Sequence, residues 1–471
     1  MAAERLGGSF RDPAGFVYRR DGVLYRQVEP AGAADYDRLV ASGLYDRLVA
    51  ERLLVPHEEV GDEHAASPGA HRVLRPREVP FVSHPYEWSF GQLKDAALLT
   101  LEVQRLALLH GMSLKDASAY NVQFDGGRPI LIDTLSFERL EEGAPWVAYR
   151  QFCQHFLAPL ALMAHRDVRL GQLARVHLDG VPLDLAARLL PLRARLRPSL
   201  LLHLVLHARS QKAAEGRAAP VRGRLSRLAL EGLVDDLQGA VRALRWAPEG
   251  TAWGDYYGAT NYSDAAFDAK KAAVRDLVAL VAPSRVFDLG ANTGVFSRLA
   301  AEAGADVVAF DIDPAAVEKA WLAAAEAPRV LPLLLDLANP SPALGWAGEE
   351  RASLEQRGPA DLVLALALVH HLAIGNNVPL PRVAAWLARL GHHLVVEFVP
   401  KEDSQVRRML ATRKDVFADY TQDGFEAAFA EHFDVVRTLP LEGTARVLYL
   451  MEARRTPAPA AAARALAAAG A

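Results

Sequence analysis

Apolar and polar positions in the second half of the chain alternate between strand-like runs and helical periodicity. The pattern is clearest over residues 285–314, where an apolar run, a glycine-containing turn, a helical repeat and a second apolar run follow one another. Because strands that alternate with helices form parallel sheets, the pattern predicts a mostly parallel sheet with helices on both faces. The last two runs are expected to pair antiparallel. The strand-like runs are 286–287, 307–310, 330–335, 361–368, 393–399, 433–439 and 446–452.

The first half of the chain mixes strand and helix patterns, which predicts an α+β domain. Residues 16–28 alternate apolar and polar side chains around Asp21-Gly22, a strong signal for a two-stranded hairpin. The runs 122–124 and 130–132 predict a second strand pair. The helices predicted along the whole chain are 36–54, 92–109, 146–163 with an interruption near Pro159, 228–244 and 264–281.

Length and composition limit the class of protein. A chain of 471 residues favours more than one domain. Its net charge of −4 gives no general attraction to nucleic acid or membrane, and its apolar runs are too short or too charged for a membrane span. The single cysteine, Cys153, excludes an intramolecular disulfide and suits a reducing compartment. We therefore expect a soluble, cytoplasmic protein, and no metal site is predicted.

Shifts in composition suggest where the domains begin and end. The basic stretch 207–227 lacks interleaved aromatic residues, so a solvated connector is favoured over an arm that binds nucleic acid. The expected organisation is an α+β domain at 1–206, a basic linker at 207–227, an α/β domain at 228–456 and a disordered Ala/Pro tail at 457–471.

Three acidic residues, Asp288, Asp311 and Asp336, end three successive predicted strands of the α/β domain. The carboxyl ends of strands in an open sheet are where such folds bind ligands. Gly290 and Gly294, in the turn after the first strand, allow the backbone to come close to a ligand. The sequence therefore predicts a ligand site with a carboxylate at each of three strand ends.

The run Asp288 to Gly294 resembles the first motif of class I S-adenosylmethionine-dependent methyltransferases, and the resemblance covers 253–455. It implies a doubly wound, mostly parallel, seven-stranded Rossmann-like sheet with S-adenosyl-L-methionine as cofactor. Asp288 would bind the ammonium group, Asp311 the ribose hydroxyls and Asp336 the adenine amino group. The implied cofactor-binding residues are Asp288, Gly290, Asn292, Gly294, Asp311 and Asp336.

A nicotinamide dinucleotide is the rival cofactor, because its site also has a strand, a glycine turn, a helix and a ribose-binding acid. Its fingerprint is G-x-G-x-x-G, whereas three residues separate Gly290 from Gly294 here. Asp288, which precedes the first glycine, would face a pyrophosphate unfavourably. The methyl donor is therefore favoured.

Candidate catalytic residues lie after the fourth and within the fifth strand of the α/β domain. Methyl transfer chiefly requires alignment in a dry site, and it needs a base only for a hydroxyl or ammonium acceptor. His370 or His371 is the candidate base, with packing as the alternative for both. Glu397 needs a partner if it is buried, and it is a further candidate for contact with the acceptor. Residues that could cover the cofactor or the acceptor, with aromatic packing as the alternative, are Tyr256, Tyr257 and Tyr262.

The acceptor is expected to be a small molecule or natural product that is methylated on oxygen or nitrogen. The Asp/Asn-Pro-Pro-Tyr/Phe signature of enzymes that methylate nucleic acid bases and glutamine is absent from the sequence, and no basic groove is indicated. A protein or RNA acceptor is kept as an alternative.

A second resemblance involves Asp116, Asn121 and Asp133, which match the catalytic loop of the protein kinase and aminoglycoside kinase superfamily in order and spacing. It implies a possible nucleotide-like site with a base, a metal-binding amide and a carboxylate that holds metal and phosphates. Turn capping by Asp116 and Asn121 is the simpler interpretation.

The departures from the kinase pattern are also informative. Leu114-Lys115 stands before Asp116, and Thr134-Leu135 follows Asp133. The first lysine is Lys94, so only Arg26 could replace the usual phosphate-binding lysine. We therefore expect a degenerate or acceptor-recognising domain, with a bifunctional chain carrying an active phosphotransferase as the alternative.

Overall fold

The computed structural model describes residues 3–214, 225–249, 264–411 and 413–454. Contacts divide the chain into two compact units. The first comprises Met1–Asp255, Asp311–Leu335 and Ser341–Ser353. The second comprises Tyr256–Phe310, Asp336–Pro340 and Leu354–Ala471. Two segments of the second half of the sequence thus belong to the first unit.

The amino-terminal part of the first unit contains a five-stranded antiparallel sheet with the order β1-β2-β3-β5-β4. The predicted hairpin forms β2 and β3, and its turn residues Asp21 and Gly22 have φ values of 52° and 81°, as a tight two-residue turn requires. The strands are β1 (Glu4–Arg5), β2 (Gly15–Arg20), β3 (Val23–Val28), β4 (His57–Val60) and β5 (Arg72–Pro76).

Two further antiparallel strand pairs and a set of helices belong to the amino-terminal part of this unit. Strand β6 (Met112–Leu114) pairs with β9 (Phe137–Arg139), and β7 (Val122–Asp125) pairs with β8 (Arg128–Leu131), as predicted for the second pair. The helices are α1 (Ala33–Ala41), α2 (Leu44–Ala50), α3 (Phe90–Leu109), α4 (Tyr149–Phe152), α5 (Ala158–His165), α6 (Leu173–Val176), α7 (Leu183–Leu189), α8 (Leu192–Arg195), α9 (Pro198–Leu200), α10 (His207–Ala214) and α11 (Arg227–Ala243).

Two predicted helices are interrupted in the structure. The helix predicted over 36–54 is wrong as a single element, because Gly43 adopts a φ of 76° and separates α1 from α2. The interruption predicted near Pro159 takes the form of a π-helical turn, Cys153–Leu157, between α4 and α5. A proline inside a helix removes one hydrogen bond and crowds the preceding turn, which accounts for the widened turn at this point.

The second half of the sequence forms a seven-stranded sheet with the order β12-β11-β10-β13-β14-β16-β15. Strand β10 pairs in parallel with β11 and β13, and β13 pairs in parallel with β14. Strand β16 pairs antiparallel with both β14 and β15, so it runs opposite to its two neighbours. This mostly parallel sheet confirms the predicted fold class. The strands are β10 (Arg285–Leu289), β11 (Asp306–Asp311), β12 (Val330–Leu334), β13 (Ala360–Ala365), β14 (Gly391–Phe398), β15 (Phe433–Pro440) and β16 (Val447–Ala453).

Helices alternate with these strands along the chain. Central residues such as Phe287, Leu364 and Val395 have no solvent exposure, as expected for strands covered on both faces. Strand β13 ends at Ala365, before the predicted end at 368, because Ala367 has a φ of 50° and turns the chain out of the strand. The helices are α12 (Asp264–Val281), α13 (Val295–Glu302), α14 (Pro314–Leu322), α15 (Leu354–Arg357), α16 (Leu380–Leu390), α17 (Ser404–Leu410) and α18 (Gln422–Ala430).

Some sequence predictions concern residues outside the described ranges. The predicted linker 207–227 begins within α10 and ends at the start of α11, and residues 215–224 between them are not described. The tail 457–471 and the three candidate tyrosines Tyr256, Tyr257 and Tyr262 also lie outside the described residues. In the described part of the chain, no helix has both the length and the apolar character needed to cross a bilayer.

Candidate active site

The glycine turn after β10 has the backbone conformation that its residues suggest. Gly290, Asn292 and Gly294 have φ values of 76°, 51° and 80°, which glycine adopts freely and asparagine tolerates better than most residues. The amides of Gly290 and Ala291 donate hydrogen bonds to the carbonyl oxygen of Phe310, at 2.8 and 2.9 Å. These bonds tie the turn to the end of β11, so the predicted turn residues lie at the carboxyl edge of the sheet.

Asp288 lies directly before this turn and is buried. Its Oδ2 accepts a hydrogen bond from the hydroxyl group of Ser297 at 2.6 Å. Ser297 lies on α13 and is a site residue that the sequence analysis missed. A hydroxyl donor on the helix after the glycine turn orients the carboxylate without neutralising its charge.

Asp311 and Asp313 have distinct local roles at the end of β11. The Oδ1 atom of Asp311 accepts a hydrogen bond from the amide of Asp313 at 2.8 Å, which fixes the orientation of that carboxylate. Asp313 is the N-cap of α14, and its side chain accepts a hydrogen bond from the amide of Ala315 at 2.8 Å. Asp336 follows β12, is exposed, and accepts a hydrogen bond from the amide of Ala338 at 2.8 Å.

The two candidate histidines follow β13 and lie against each other. The ring centroids of His370 and His371 are 4.2 Å apart. His370 is buried, and its Nδ1 atom has no hydrogen-bond partner among the residues that the structure describes. Burial holds the pKa of His370 well below its ordinary value, and the adjacent His371 and the guanidinium of Arg446 lower it further. His370 is therefore a neutral imidazole near pH 7.

Glu397 is held within a group of buried charges. Its two carboxylate oxygens accept hydrogen bonds from Lys270 Nζ at 2.5 Å and Arg446 Nη1 at 3.2 Å. Arg446 Nε also donates to Asp403 Oδ2 at 2.8 Å. The partner that a buried Glu397 was expected to need is thus a pair of cations. A carboxylate held by two cations is a poor proton acceptor, because protonation would leave both cations undercompensated.

Lys270, Arg446 and Asp403 were missed by the sequence analysis. A signal for Lys270 was nevertheless present, since Ala266, Lys270 and Val274 repeat every four residues on the buried face of α12. A charged residue at an apolar position of a helix needs a buried partner of opposite charge. Asp288 contributes to the electrostatic environment of Lys270, whose pKa is lowered chiefly by burial. The charge group is therefore close to the glycine turn.

The kinase-like residues of the first unit lie together in the structure. Ser136 Oγ donates a hydrogen bond to Asp133 Oδ2 at 2.7 Å and accepts one from Asn121 Nδ2 at 3.1 Å. Arg26, the candidate replacement for the phosphate-binding lysine, forms an ion pair with the other oxygen of Asp133. Burial raises the pKa of Asp116, and the nearby Asp133 raises it further.

The nodulation protein NoeA of Rhizobium meliloti (strain 1021) is 37% identical over 471 residues, which cover 95% of this chain and 96% of NoeA. The chain belongs to the NoeA family. No protein-family model matches the sequence.

Solved structures that match this NoeA-family chain include two methyltransferases. The N-methyltransferase NodS from Bradyrhizobium japonicum WM9 has 12% identity and a TM-score of 0.30, and the match covers 41% of this chain and 99% of NodS. The magnesium protoporphyrin IX methyltransferase ChlM from Synechocystis PCC 6803, with bound SAH, has 21% identity and a TM-score of 0.31 over 43% of this chain and 93% of ChlM.

Proposed function

We propose that this NoeA-family chain is an S-adenosylmethionine-dependent methyltransferase. The observation that carries the proposal is the buried carboxylate of Asp288, which directly precedes a glycine turn with three left-handed residues. A buried anion at this position favours a cofactor with an ammonium group and disfavours a pyrophosphate. The proposed ligands are Asp288 for the ammonium group, Asp311 for the ribose hydroxyls and Asp336 for the adenine amino group.

The residues around this edge suit a transfer that depends mainly on positioning. When bound, the cofactor supplies an electrophilic methyl group on a sulfonium. The chain has to orient the acceptor and exclude water. The neutral imidazole of His370 keeps a nitrogen lone pair that can accept a proton from an acceptor hydroxyl or ammonium, although burial also makes it a weaker base than an exposed histidine. Glu397 then serves to hold Lys270 and Arg446 in place, and the base is His370.

The proposed acceptor is a small molecule or natural product, methylated on oxygen or nitrogen in the cytoplasm. The net charge of −4 gives no general attraction to nucleic acid, which makes RNA the weaker alternative. NoeA is named as a nodulation protein, and we propose that this chain contributes a methyl transfer to a related process. Labelled cofactor incubated with extracts of the source cells would identify the acceptor by the product that becomes labelled.

Cofactor binding is tested by calorimetric titration of the full chain with S-adenosylhomocysteine. We expect micromolar-range binding that Asp311→Ala weakens by about a hundredfold or more, because a charged hydrogen-bond acceptor for two hydroxyls is lost. Asp276→Asn, on the exposed face of α12, is the matched control and should bind like the wild type. Absence of binding by the wild-type chain would refute the proposal.

A second candidate function is recognition of a nucleotide-like ligand by the kinase-like cluster. It is favoured by the grouping of Asn121, Asp133 and Ser136 in one hydrogen-bonded set. The ion pair with Arg26 occupies the carboxylate that would otherwise hold a metal ion, so recognition of a ligand is favoured over phosphoryl transfer. Binding of ATP with and without magnesium distinguishes the two.

A further inference from the structure

Helix α14 begins three residues after Asp311, the proposed ribose ligand. The link between them is short and rigid, since Asp311 Oδ1 accepts from the amide of Asp313, and Asp313 in turn caps the helix. Pro314 occupies the first helical position and restricts the backbone further. The orientation of the Asp311 carboxylate is therefore coupled to the position of α14.

The buried face of α14 packs on the amino-terminal end of α3, and both segments belong to the first unit. Glu318 is buried, and its Oε2 accepts a hydrogen bond from the amide of Gly91 at 2.7 Å. Gly91 lies in the first turn of α3, where amides have no partner within the helix and the helix dipole favours an anion. Glu318 thus supplies from α14 an acceptor that α3 lacks.

Trp321, one turn further along α14, makes the second contact. Its Nε1 atom donates a hydrogen bond to Asp95 Oδ2 of α3 at 2.9 Å. Its ring lies edge-on against Phe124, with centroids 5.0 Å apart and an interplanar angle of 72°. Strand β12 is held by the same end of α3, because Gln92 Nε2 donates to the carbonyl oxygen of Pro332 at 2.9 Å.

The packing leaves no room for a side chain at position 91. A Cβ atom on Gly91 would lie 2.7 Å from Cδ1 of Trp321 and 2.9 Å from Oε1 of Glu318. Real Cβ atoms do not approach other atoms this closely, so the side chains of Trp321 and Glu318 on α14 would have to shift away from α3. Glycine therefore permits the close approach of the two helices.

We propose that the amino-terminal end of α3 is a positioning element of the cofactor site. Through Gly91, Glu318 and Trp321 it holds α14, and through α14 it fixes the carboxylate of Asp311. This inference rests on the proposed cofactor function. It assigns to the amino-terminal half of the chain a role in cofactor affinity, in addition to any ligand of its own.

The test compares two glycine substitutions in the full chain. Gly91→Ala should raise the Kd for S-adenosylhomocysteine by about tenfold, because it displaces α14 and with it a charged hydrogen-bond acceptor. Gly232→Ala in α11 is the matched control, since a Cβ there meets no atom within 4 Å. Alanine is a better helix former than glycine at both positions. A loss of affinity that is confined to position 91 is therefore a consequence of its contact with Glu318 and Trp321.

Methylthioadenosine, which lacks the amino-acid part of the cofactor, serves as the second probe. Gly91→Ala and Glu318→Ala should weaken both probes by the same factor, whereas Asp288→Ala should weaken S-adenosylhomocysteine far more than methylthioadenosine. Glu318→Gln, which keeps an acceptor oxygen, should recover part of the loss. If the contact were merely structural, these variants would have a lower melting temperature, but both Kd values measured well below that temperature would be unchanged. That result would overturn the inference.

Hydrogen exchange gives a readout that does not depend on the cofactor. In Glu318→Ala and Gly91→Ala, amides of α14 should exchange faster than in the wild type, while those of α12 keep their protection. Unchanged exchange in α14 would refute the role of α3. Failure of the wild-type chain to bind either probe would refute the proposed function, and this inference with it.

Discussion

The chemistry proposed for His370 depends on its surroundings. The residue is buried beside His371, and the positive charge of Arg446 acts on both imidazoles. Glu397 opposes these effects and raises the pKa of His370, while Lys270 lowers it. The net result is an imidazole that stays neutral in the folded chain at pH values where an exposed histidine is protonated.

This difference predicts a pH dependence of stability. The unfolded chain protonates His370 as the pH falls through about 6.5, whereas the folded chain does not. The unfolded state then binds more protons, so the free energy of unfolding falls as the pH decreases from about 6.5 towards the lowered pKa, by at most about 1.4 kcal/mol per pH unit.

We expect His370→Gln to remove the part of this pH dependence that is due to His370. Urea unfolding at neutral and mildly acidic pH should give a smaller loss of stability for the variant than for the wild type. His392→Gln, at an exposed position, is the control and should keep the wild-type slope. Equal slopes for wild type and His370→Gln would contradict the assignment of His370 as a buried neutral base.

Helices and strands could be predicted where the local order of apolar, polar and turn residues determines them. The β2–β3 hairpin follows from Asp21-Gly22, and α12 has the predicted bounds because its buried positions recur at helical spacing and Pro283 follows shortly after its last residue. The break at Gly43 was missed, since a single glycine does not reveal from the sequence whether it continues a helix or adopts a positive φ. Local signals thus identified these elements and misjudged the interruption at Gly43.

Long-range partners could not be predicted in the same way. Glu397 and Lys270 are 127 residues apart, and only the fold determines that the glutamate meets a lysine on α12. The contact between Glu318 and Gly91 spans 227 residues and is equally invisible in the sequence. The glycine turn and strand-end acids were identified because their spacing is local. The residues that hold them in place come from distant segments.

Substitution by alanine is expected to have opposite effects on stability at Gly43, which lies between two helices, and at Gly232, which lies within one. Gly43→Ala should reduce the free energy of unfolding by about 1 kcal/mol or more, because an alanine at a φ of 76° is strained. Gly232→Ala lies in open space within α11 and should increase stability by up to about 1 kcal/mol. Urea unfolding of the two variants checks the signs, and a gain for Gly43→Ala would be inconsistent with the observed turn.

At the scale of the whole molecule, the chain combines a mostly parallel seven-stranded sheet with the hydrogen-bonded cluster around Asp133. The cluster keeps Asp116, Asn121 and Asp133 but pairs Asp133 with Arg26. An active phosphotransferase would need that carboxylate for a metal ion. The whole chain is therefore proposed to catalyse methyl transfer, with the cluster recognising a ligand.

Titration with ATP distinguishes a ligand-recognising cluster from an active phosphotransferase. If the cluster only recognises a ligand, binding of ATP should not depend on magnesium, and Asp133→Ala should leave Arg26 without its partner and reduce the thermal shift. Magnesium-dependent binding that is lost in Asp133→Ala would instead support the bifunctional alternative. Asp125→Ala, at the end of β7 outside the cluster, serves as the control.

The packing of α14 and β12 against α3 limits how this protein can change over evolution. A gene fusion that simply joined two independent domains could later exchange either one by recombination at the junction. Here the matching surfaces lie on Gly91, Glu318 and Trp321, in segments far from any such junction. A new amino-terminal half would have to arrive with compensating changes inside the methyltransferase-like sheet, so relatives should inherit both halves as one piece.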